Sequence, residues 1–298
     1  MAAPTAAKSV LERVTSVLPS SVRQYVLLVP SLAFIGVFFL VPLSLLLVYS
    51  FYINPQGSGL YQPGFTLDSY IRFFSSGFYL GKLLLTIEFG LVVTAITTVL
   101  GYPLAYYLAR TTSRKRSAIV LLLLSTLYVT YIIRAYAWGV ILAENGIVNR
   151  VLTVLGVSPL DIYPGFWSVV AGLVYSFYPF FVLTLYSSIR SIPTELEEAS
   201  QNLGASRVRT FRRVVLPLSK NGLLAGAGLV FVLTVGSYVN PVVLGSPSEW
   251  FLPVLIQEQV QKQFNVPLAS VMSIVMLVVV ASILIVTAKL VNVREVAR

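Results

Sequence analysis

Six runs of apolar residues, each about 20 or more residues long, constrain this chain more than any other feature. A helix rises about 1.5 Å per residue, so roughly 20 residues cross about 30 Å of hydrocarbon. Within the bilayer every backbone N–H and C=O needs a partner inside the protein, and helices supply one residue by residue. The runs predict spans at about 25 to 51, 81 to 109, 117 to 142, 166 to 189, 221 to 244 and 266 to 290. Charged residues are only 11% of the chain, against about 25% in ordinary soluble domains, and 57% are hydrophobic. The expected architecture is therefore an all-α membrane protein.

Six spans put both termini on one side. Of the 21 Lys and Arg residues, 16 fall in residues 1–24, 110–116, 190–220 and 289–298, all on that same side. This bias predicts cytoplasmic termini, and it accounts for the net charge of +10 without a nucleic-acid partner. The first run begins at Tyr25, is too long for a signal-peptide core and lacks a small-residue cleavage pattern, so it is expected to be retained. Before it, Ser9 and Glu12 have capping-box spacing, while Val10, Leu11, Val14, Val17 and Leu18 share a helical face. Residues 1–24 are thus expected to form an interfacial helix ahead of a six-helix membrane bundle over 25–298.

The chain has no cysteine and no histidine, which excludes disulfides, thiol chemistry, imidazole–metal sites and Ser/His catalysis. No G-x-x-x-x-G-K-[ST] sequence occurs, so the chain cannot bind ATP in the P-loop manner. No metal or cofactor is expected on it.

The densest charge lies in residues 195–217, between the fourth and fifth runs. Thr194 and Glu197 have capping-box spacing, Pro193 bars backward continuation, and Glu195, Glu197 and Glu198 suit the positive end of a helix. Gly204 stands where a left-handed C-terminal residue is wanted, and Ser206 can cap a second, basic segment running to Pro217. A short helix, a glycine corner and another helix follow from these signals. Alone in water the first helix is too short to be stable, so it gains order by packing.

Within this loop, Glu198-Ala199-Ser200, then Gly204, then Val214-x-Leu216-Pro217 resembles the signature loop of permease subunits in binding-protein-dependent ABC importers. Ser200 and Val214 depart mildly from the usual alanine and isoleucine. Leu100-Gly101-Tyr102-Pro103, Ile133-Arg134-Ala135-Tyr136, Asn145-Gly146-Ile147-Val148-Asn149 and Leu185-Tyr186-Ser187-Ser188-Ile189 resemble the B-type permeases of spermidine/putrescine importers. Gly236 to Gly245 resembles a segment shared by polyamine, iron and related permeases, whereas Asn265-Val266-Pro267-Leu268-Ala269 departs from the NWPLG found in relatives. The resemblance implies the six-helix type I (MetI-like) fold in a prokaryotic inner membrane. It also implies partners: a separate ABC ATPase dimer carrying ATP and Mg, a second, similar permease chain, and a soluble substrate-binding protein. The loop at 190–220 would dock on the ATPase through Glu197, Glu198, Ala199, Leu203, Gly204, Ala205 and Arg207. The solute would be a polyamine, with another small organic solute or ferric iron as alternatives.

Glu88 and Arg134 are the ionisable residues within spans, each costing about 2.5 to 3.5 kcal/mol on insertion scales unless paired or wetted. Both are expected roughly 10 to 12 Å from the outer ends of spans two and three, a depth that permits an ion pair or a place on the solute path. Aromatic candidates for cation–π contacts are Tyr128, Tyr131, Tyr136, Trp138, Tyr175, Tyr178 and Tyr238. Tyr238 and Asn240 precede Pro241, which is expected to break span five. Gly222, Gly226, Gly228 and Gly236 give that span a smooth side, expected at a subunit interface. A self-sufficient secondary transporter or channel also fits six spans but calls for coupling acids and commonly an inverted repeat; an intramembrane enzyme lacks its catalytic groups.

Overall fold

The computed structural model describes residues 28–29, 31–55 and 61–290, and the interfacial helix expected over 1–24 lies outside them. The described chain is helical: α1 (Ser31–Tyr49), α2 (Asp68–Ser75), α3 (Gly77–Arg110), α4 (Arg114–Tyr128), α5 (Tyr131–Leu142), α6 (Ile147–Val154), α7 (Phe166–Arg190), α8 (Thr194–Asn202), α9 (Arg207–Leu218), α10 (Lys220–Val235), α11 (Val239–Leu244), α12 (Leu252–Gln261) and α13 (Val266–Leu290). Among the described residues four helices are long and apolar enough to cross a membrane, and six spans result when each of two bent pairs is one span.

The core is the mutual packing of α3, α7 and α10. Hydrocarbon tails are as apolar as leucine, so association between spans rests on close van der Waals fit. Small residues provide it: Gly90 lies beneath Phe231, and Gly101 and Gly226 flank Phe181. At Gly222 a Cβ would come within 2.1 Å of the Ser188 Cβ, so the α10 backbone sits directly on the Ser188 side chain of α7. The glycine side of span five, expected at a subunit interface, is thus used inside the chain at Gly222 and Gly226. At the far end of α3, Phe89 meets Phe166 and Phe251 with ring centroids 4.3 and 4.5 Å apart. A second core joins α2, α12 and α13 through Phe73, Leu252, Leu268 and Met272, while α1 leans on α13 and exposes its other sides.

Prolines set the irregularities. The π-helical turns at Gly36–Leu40 and Phe211–Val215 each end just before a proline, Pro42 and Pro217. A proline supplies no N–H and crowds the preceding turn, and a π-turn is how the ladder absorbs the mismatch.

Two spans differ from their sequence-based form. Span three is not one rod: α4 stops at Tyr128, Val129 and Thr130 are extended, and the stretch Tyr131–Val154 departs at 100°. Two β-branched residues at the break are poor helix formers. Span five ends at Val235, six residues before Pro241, whose ring would crowd the carbonyl of Ser237 in a continuous helix. Pro241 instead occupies the first turn of α11, where its missing N–H costs nothing. The basic segment before span five is likewise set off from α10 by a 68° bend at Ser219.

Candidate functional site

The polar loop is organised around its corner. Gly204 has φ +86°, its N–H donates to the Gln201 carbonyl at 2.9 Å, and the Ala205 N–H donates to the Ser200 carbonyl at 3.1 Å. This is a complete Schellman motif closing α8. Ser206 caps α9, accepting from the Arg209 N–H at 3.4 Å. Ser200, in the place of an alanine, bonds across the corner to the Thr210 hydroxyl at 3.1 Å, fixing α8 against α9.

The N-terminus of α8 differs from the capping-box expectation. Thr194 is the first helical residue, Pro193 is the N-cap, and no side chain caps the turn. Glu197 turns inward instead and is 8% exposed. Its Oε1 pairs with Arg110 Nε and Nη2, both at 2.6 Å, and its Oε2 accepts from the Tyr106 hydroxyl at 2.7 Å. Arg110 also donates to the Ile192 carbonyl at 3.1 Å. One guanidinium thereby clamps the end of α3 to the chain entering α8. Of the residues expected to dock, Glu198, Ala199, Leu203, Gly204 and Arg207 are exposed, Ala205 is half-buried, and Glu197 is an internal anchor. Leu203 is 89% exposed, with Leu196 and Val208 also bare on the same short elements.

The second cluster lies where the two broken spans meet. The Tyr131 hydroxyl, at the first residue of α5, lies 2.7 Å from the Ser237 hydroxyl and accepts from Asn240 Nδ2 at 2.9 Å. Helix α5 is thereby pinned to the break in span five. Arg134 projects back over the Tyr131 ring, its guanidinium carbon 5.6 Å from the centroid. The structure thus brings together Tyr131, Arg134 and Asn240. Glu88 does not join them: it is exposed on α3, in line with Leu84 and Leu91, and makes no ion pair with Arg134. Of the two roles their depths left open, an ion pair between Glu88 and Arg134 is not made among the described residues.

The other aromatic candidates separate. Tyr178 donates to the Leu100 carbonyl at 3.1 Å. With Trp138 and Tyr175 it lines a cavity of ≈ 510 Å³ walled by apolar and aromatic side chains, with no charged residue. Tyr128 is exposed at the end of α4, and Tyr136 is exposed on α5. Tyr238 borders a cavity of ≈ 100 Å³ with Trp250, Glu258 and Lys262. There Lys262 Nζ lies 2.7 Å from Glu258 Oε1 and 6.0 Å from the Trp250 ring centroid.

Several contributing residues were not singled out in the sequence. Tyr106 and Arg110 looked like ordinary span-end residues, and Ser237 is a short polar residue whose partner lies 106 positions away. Lys82 donates to the carbonyls of Pro247 and Ser248, at 3.0 and 2.8 Å, tying α3 to the connection after α11. Asn149, within the Asn145–Asn149 motif, closes its own loop: its side chain donates to the Ala143 and Leu160 carbonyls and accepts from the Leu160 N–H. Among the described residues no cluster of acids suits a metal ion.

Comparisons with known proteins agree with this architecture. Residues 101–294 match the family described as "Binding-protein-dependent transport system inner membrane component". The chain is 31% identical over 245 residues to the spermidine/putrescine transport system permease protein PotB of Escherichia coli, covering 82% of this chain and 89% of that protein. It is 30% identical over 271 residues to the inner membrane ABC transporter permease protein YdcU of the same organism, covering 86% of each. In fold it resembles a chain of the bacterial alginate ABC transporter solved with an alginate-bound periplasmic protein, with a TM-score of 0.73, 18% identity and 90% and 93% coverage. A chain of the MetNI methionine ABC transporter gives a TM-score of 0.54 at 21% identity, covering 74% of this chain and 96% of that one. With most of its length matched and its helices arranged as in those transporters, the chain belongs to the inner membrane permease components of binding-protein-dependent ABC transport systems.

Proposed function

We propose that this permease carries a polyamine of the spermidine/putrescine class into the cytoplasm, and that the 190–220 loop is where a separate ATPase, loaded with ATP and Mg, drives it. The observation that carries the docking reading is the loop itself. Its corner is fixed by the Gly204 Schellman motif, its base is clamped by Glu197 and Arg110, and its tips, Leu196, Leu203 and Val208, are bare. Bare leucine and valine side chains on a rigid polar element form a surface complementary to a groove on another protein. A second permease chain, similar but different, completes the pathway, and a soluble receptor delivers solute to the opposite face. Both termini lie in the cytoplasm in this arrangement, as the Lys and Arg distribution supports. Closure of the ATPase pair would draw the α8 helices together and switch the spans between inward and outward access.

The substrate class rests on the PotB relatives, which cover more than four fifths of the chain. The test is uptake of labelled spermidine by the complete importer in proteoliposomes. ATP-dependent, receptor-dependent accumulation that excess putrescine suppresses supports the reading. Accumulation by this chain alone, or no polyamine binding by the cognate receptor, refutes it.

A further inference from the structure

Among the described residues, α10 and α13 alone wall a cavity of ≈ 420 Å³, with Leu224, Gly228 and Val232 on one side and Leu284, Thr287 and Ala288 on the other. A second cavity of ≈ 370 Å³ shares Val232 and continues over Gly236, Val280 and Ser273. These positions recur every three or four residues on both helices, so the two cavities are parts of one cleft running along the spans. The cleft exists because the packing of α13 stops short. Leu268, Val271 and Met272 are fully buried, whereas no residue from Ser273 to Lys289 is. At Gly228 the nearest atom to an added Cβ is a Leu284 methyl at 3.7 Å, an ordinary contact rather than the tight fit at Gly222.

The cleft offers no polar group to a ligand. The Ser273 and Thr287 hydroxyls donate to the Ala269 and Ile283 carbonyls of their own helix, at 2.9 and 2.8 Å, and the other walls are apolar. Hydrocarbon is the filling that leaves nothing unpaired there. One end, however, is charged. Lys220 lies one turn before Leu224, Lys289 follows Ala288, and both are exposed. Neither α10 nor α13 carries an acid, and the two ion pairs among the described residues, Arg110–Glu197 and Lys262–Glu258, involve neither lysine.

The dimensions select the occupant. From Lys220 to Val232 is about 18 Å along the helix, close to the roughly 15 Å of hydrocarbon in one leaflet. The first cavity runs about 12 Å from Leu224 to Val232, so its volume of ≈ 420 Å³ leaves a cross-section of about 35 Å². A helix with its side chains is about 10 to 12 Å across, or roughly 80 to 110 Å², and is too wide to enter; an extended hydrocarbon chain is not. Cations at the mouth and one leaflet's depth of apolar wall behind them match an amphiphile with an anionic head.

We infer that the cleft between α10 and α13 binds an anionic phospholipid, its acyl chain between the helices and its phosphate on Lys220 and Lys289. Each lysine near the headgroup favours an anionic over a zwitterionic lipid by a factor of about five, or about thirtyfold for the two. The site is independent of the solute carried and of the ATPase.

The test uses the complete importer in proteoliposomes. Phosphatidylglycerol carrying a diazirine midway along one acyl chain is photolysed, and the labelled peptides are mapped by mass spectrometry. Label is expected on 224–232 and 284–288, about thirtyfold above that left by the matching phosphatidylcholine probe. Lys220→Gln combined with Lys289→Gln is expected to remove this preference while both probes still label weakly. Gly228→Leu, which fills the cleft, is expected to remove labelling by both. The two lysines are exposed, so their variant reads the site even where Gly228→Leu does not fold. The inference is overturned if the two probes label the parent equally, or if the lysine variant keeps the parental preference. It is overturned equally if a folded Gly228→Leu importer labels as the parent does. It also fails if both stretches stay unlabelled while other spans take label, as they would beneath a span of the second permease chain. Labelling is read without uptake, so its outcome is separate from that of the substrate reading.

Discussion

Replacing Glu197 by Gln keeps the shape of the clamp and removes its charge. In the parent, the carboxylate takes two contacts from Arg110 at 2.6 Å and one from Tyr106 at 2.7 Å, with side-chain exposures of 10% for Glu197 and 16% for Arg110. Removing one member of a buried ion pair costs about 3 to 5 kcal/mol, because the other charge is left behind. Here both groups keep some solvent, and a Gln amide oxygen still accepts from Tyr106 or Arg110, so about 2 to 3 kcal/mol is the expected loss. That corresponds to a roughly 30- to 140-fold shift between the clamped loop and a loose one. The bare residues Glu198, Leu203 and Arg207 are untouched, so the ATPase should still copurify. What should fall is solute moved per ATP hydrolysed, since α8 then moves without carrying α3. The pair Arg110→Leu with Glu197→Leu removes both charges, and apolar replacements of a buried pair are often tolerated. A double-mutant cycle on the transport-to-hydrolysis ratio is therefore expected to show the double variant closer to the parent than either single one. Additive losses, or a single variant with parental coupling, would refute the clamp.

Other outcomes follow from single contacts. Gly204→Val should cost about 1 to 2 kcal/mol through its left-handed backbone rather than through crowding, since nothing lies within 4 Å of a Cβ there. Gly204→Asn should be milder, and ATPase copurification ranks the two. Gly222→Val drives a side chain into Ser188 and should lower the melting temperature of the detergent-solubilised chain, whereas Gly228→Ala, with its nearest neighbour 3.7 Å away, should leave it unchanged. Tyr131→Phe removes the hydroxyl shared by Ser237 and Asn240, at an expected cost of about 1 to 3 kcal/mol, and uptake should fall while membrane insertion is kept.

Periodicity and charge placement were enough to specify the helical class, the number of apolar runs and the location of the polar loop, because these depend on local length and on transfer from water to lipid. Gly204 and Ser206 could be assigned from sequence for the same reason: a C-terminal left-handed residue and an N-cap act over four or five positions. The family, too, was legible in the spacing from Glu198 to Pro217. Tertiary structure decided what these residues touch. The capping-box spacing of Thr194 and Glu197 was real, yet Glu197 has a stronger partner in an arginine 87 positions away. Comparable depth left an ion pair between Glu88 and Arg134 open, but in the fold Glu88 is exposed on α3 and Arg134 lies over Tyr131 of its own helix. The glycines of span five announced close approach without naming the neighbour, which proved to be α7 of the same chain. Local signals fix where a helix begins, bends or ends; which charge meets which depends on the crossing of helices far apart in sequence, and no window of one sequence contains both partners.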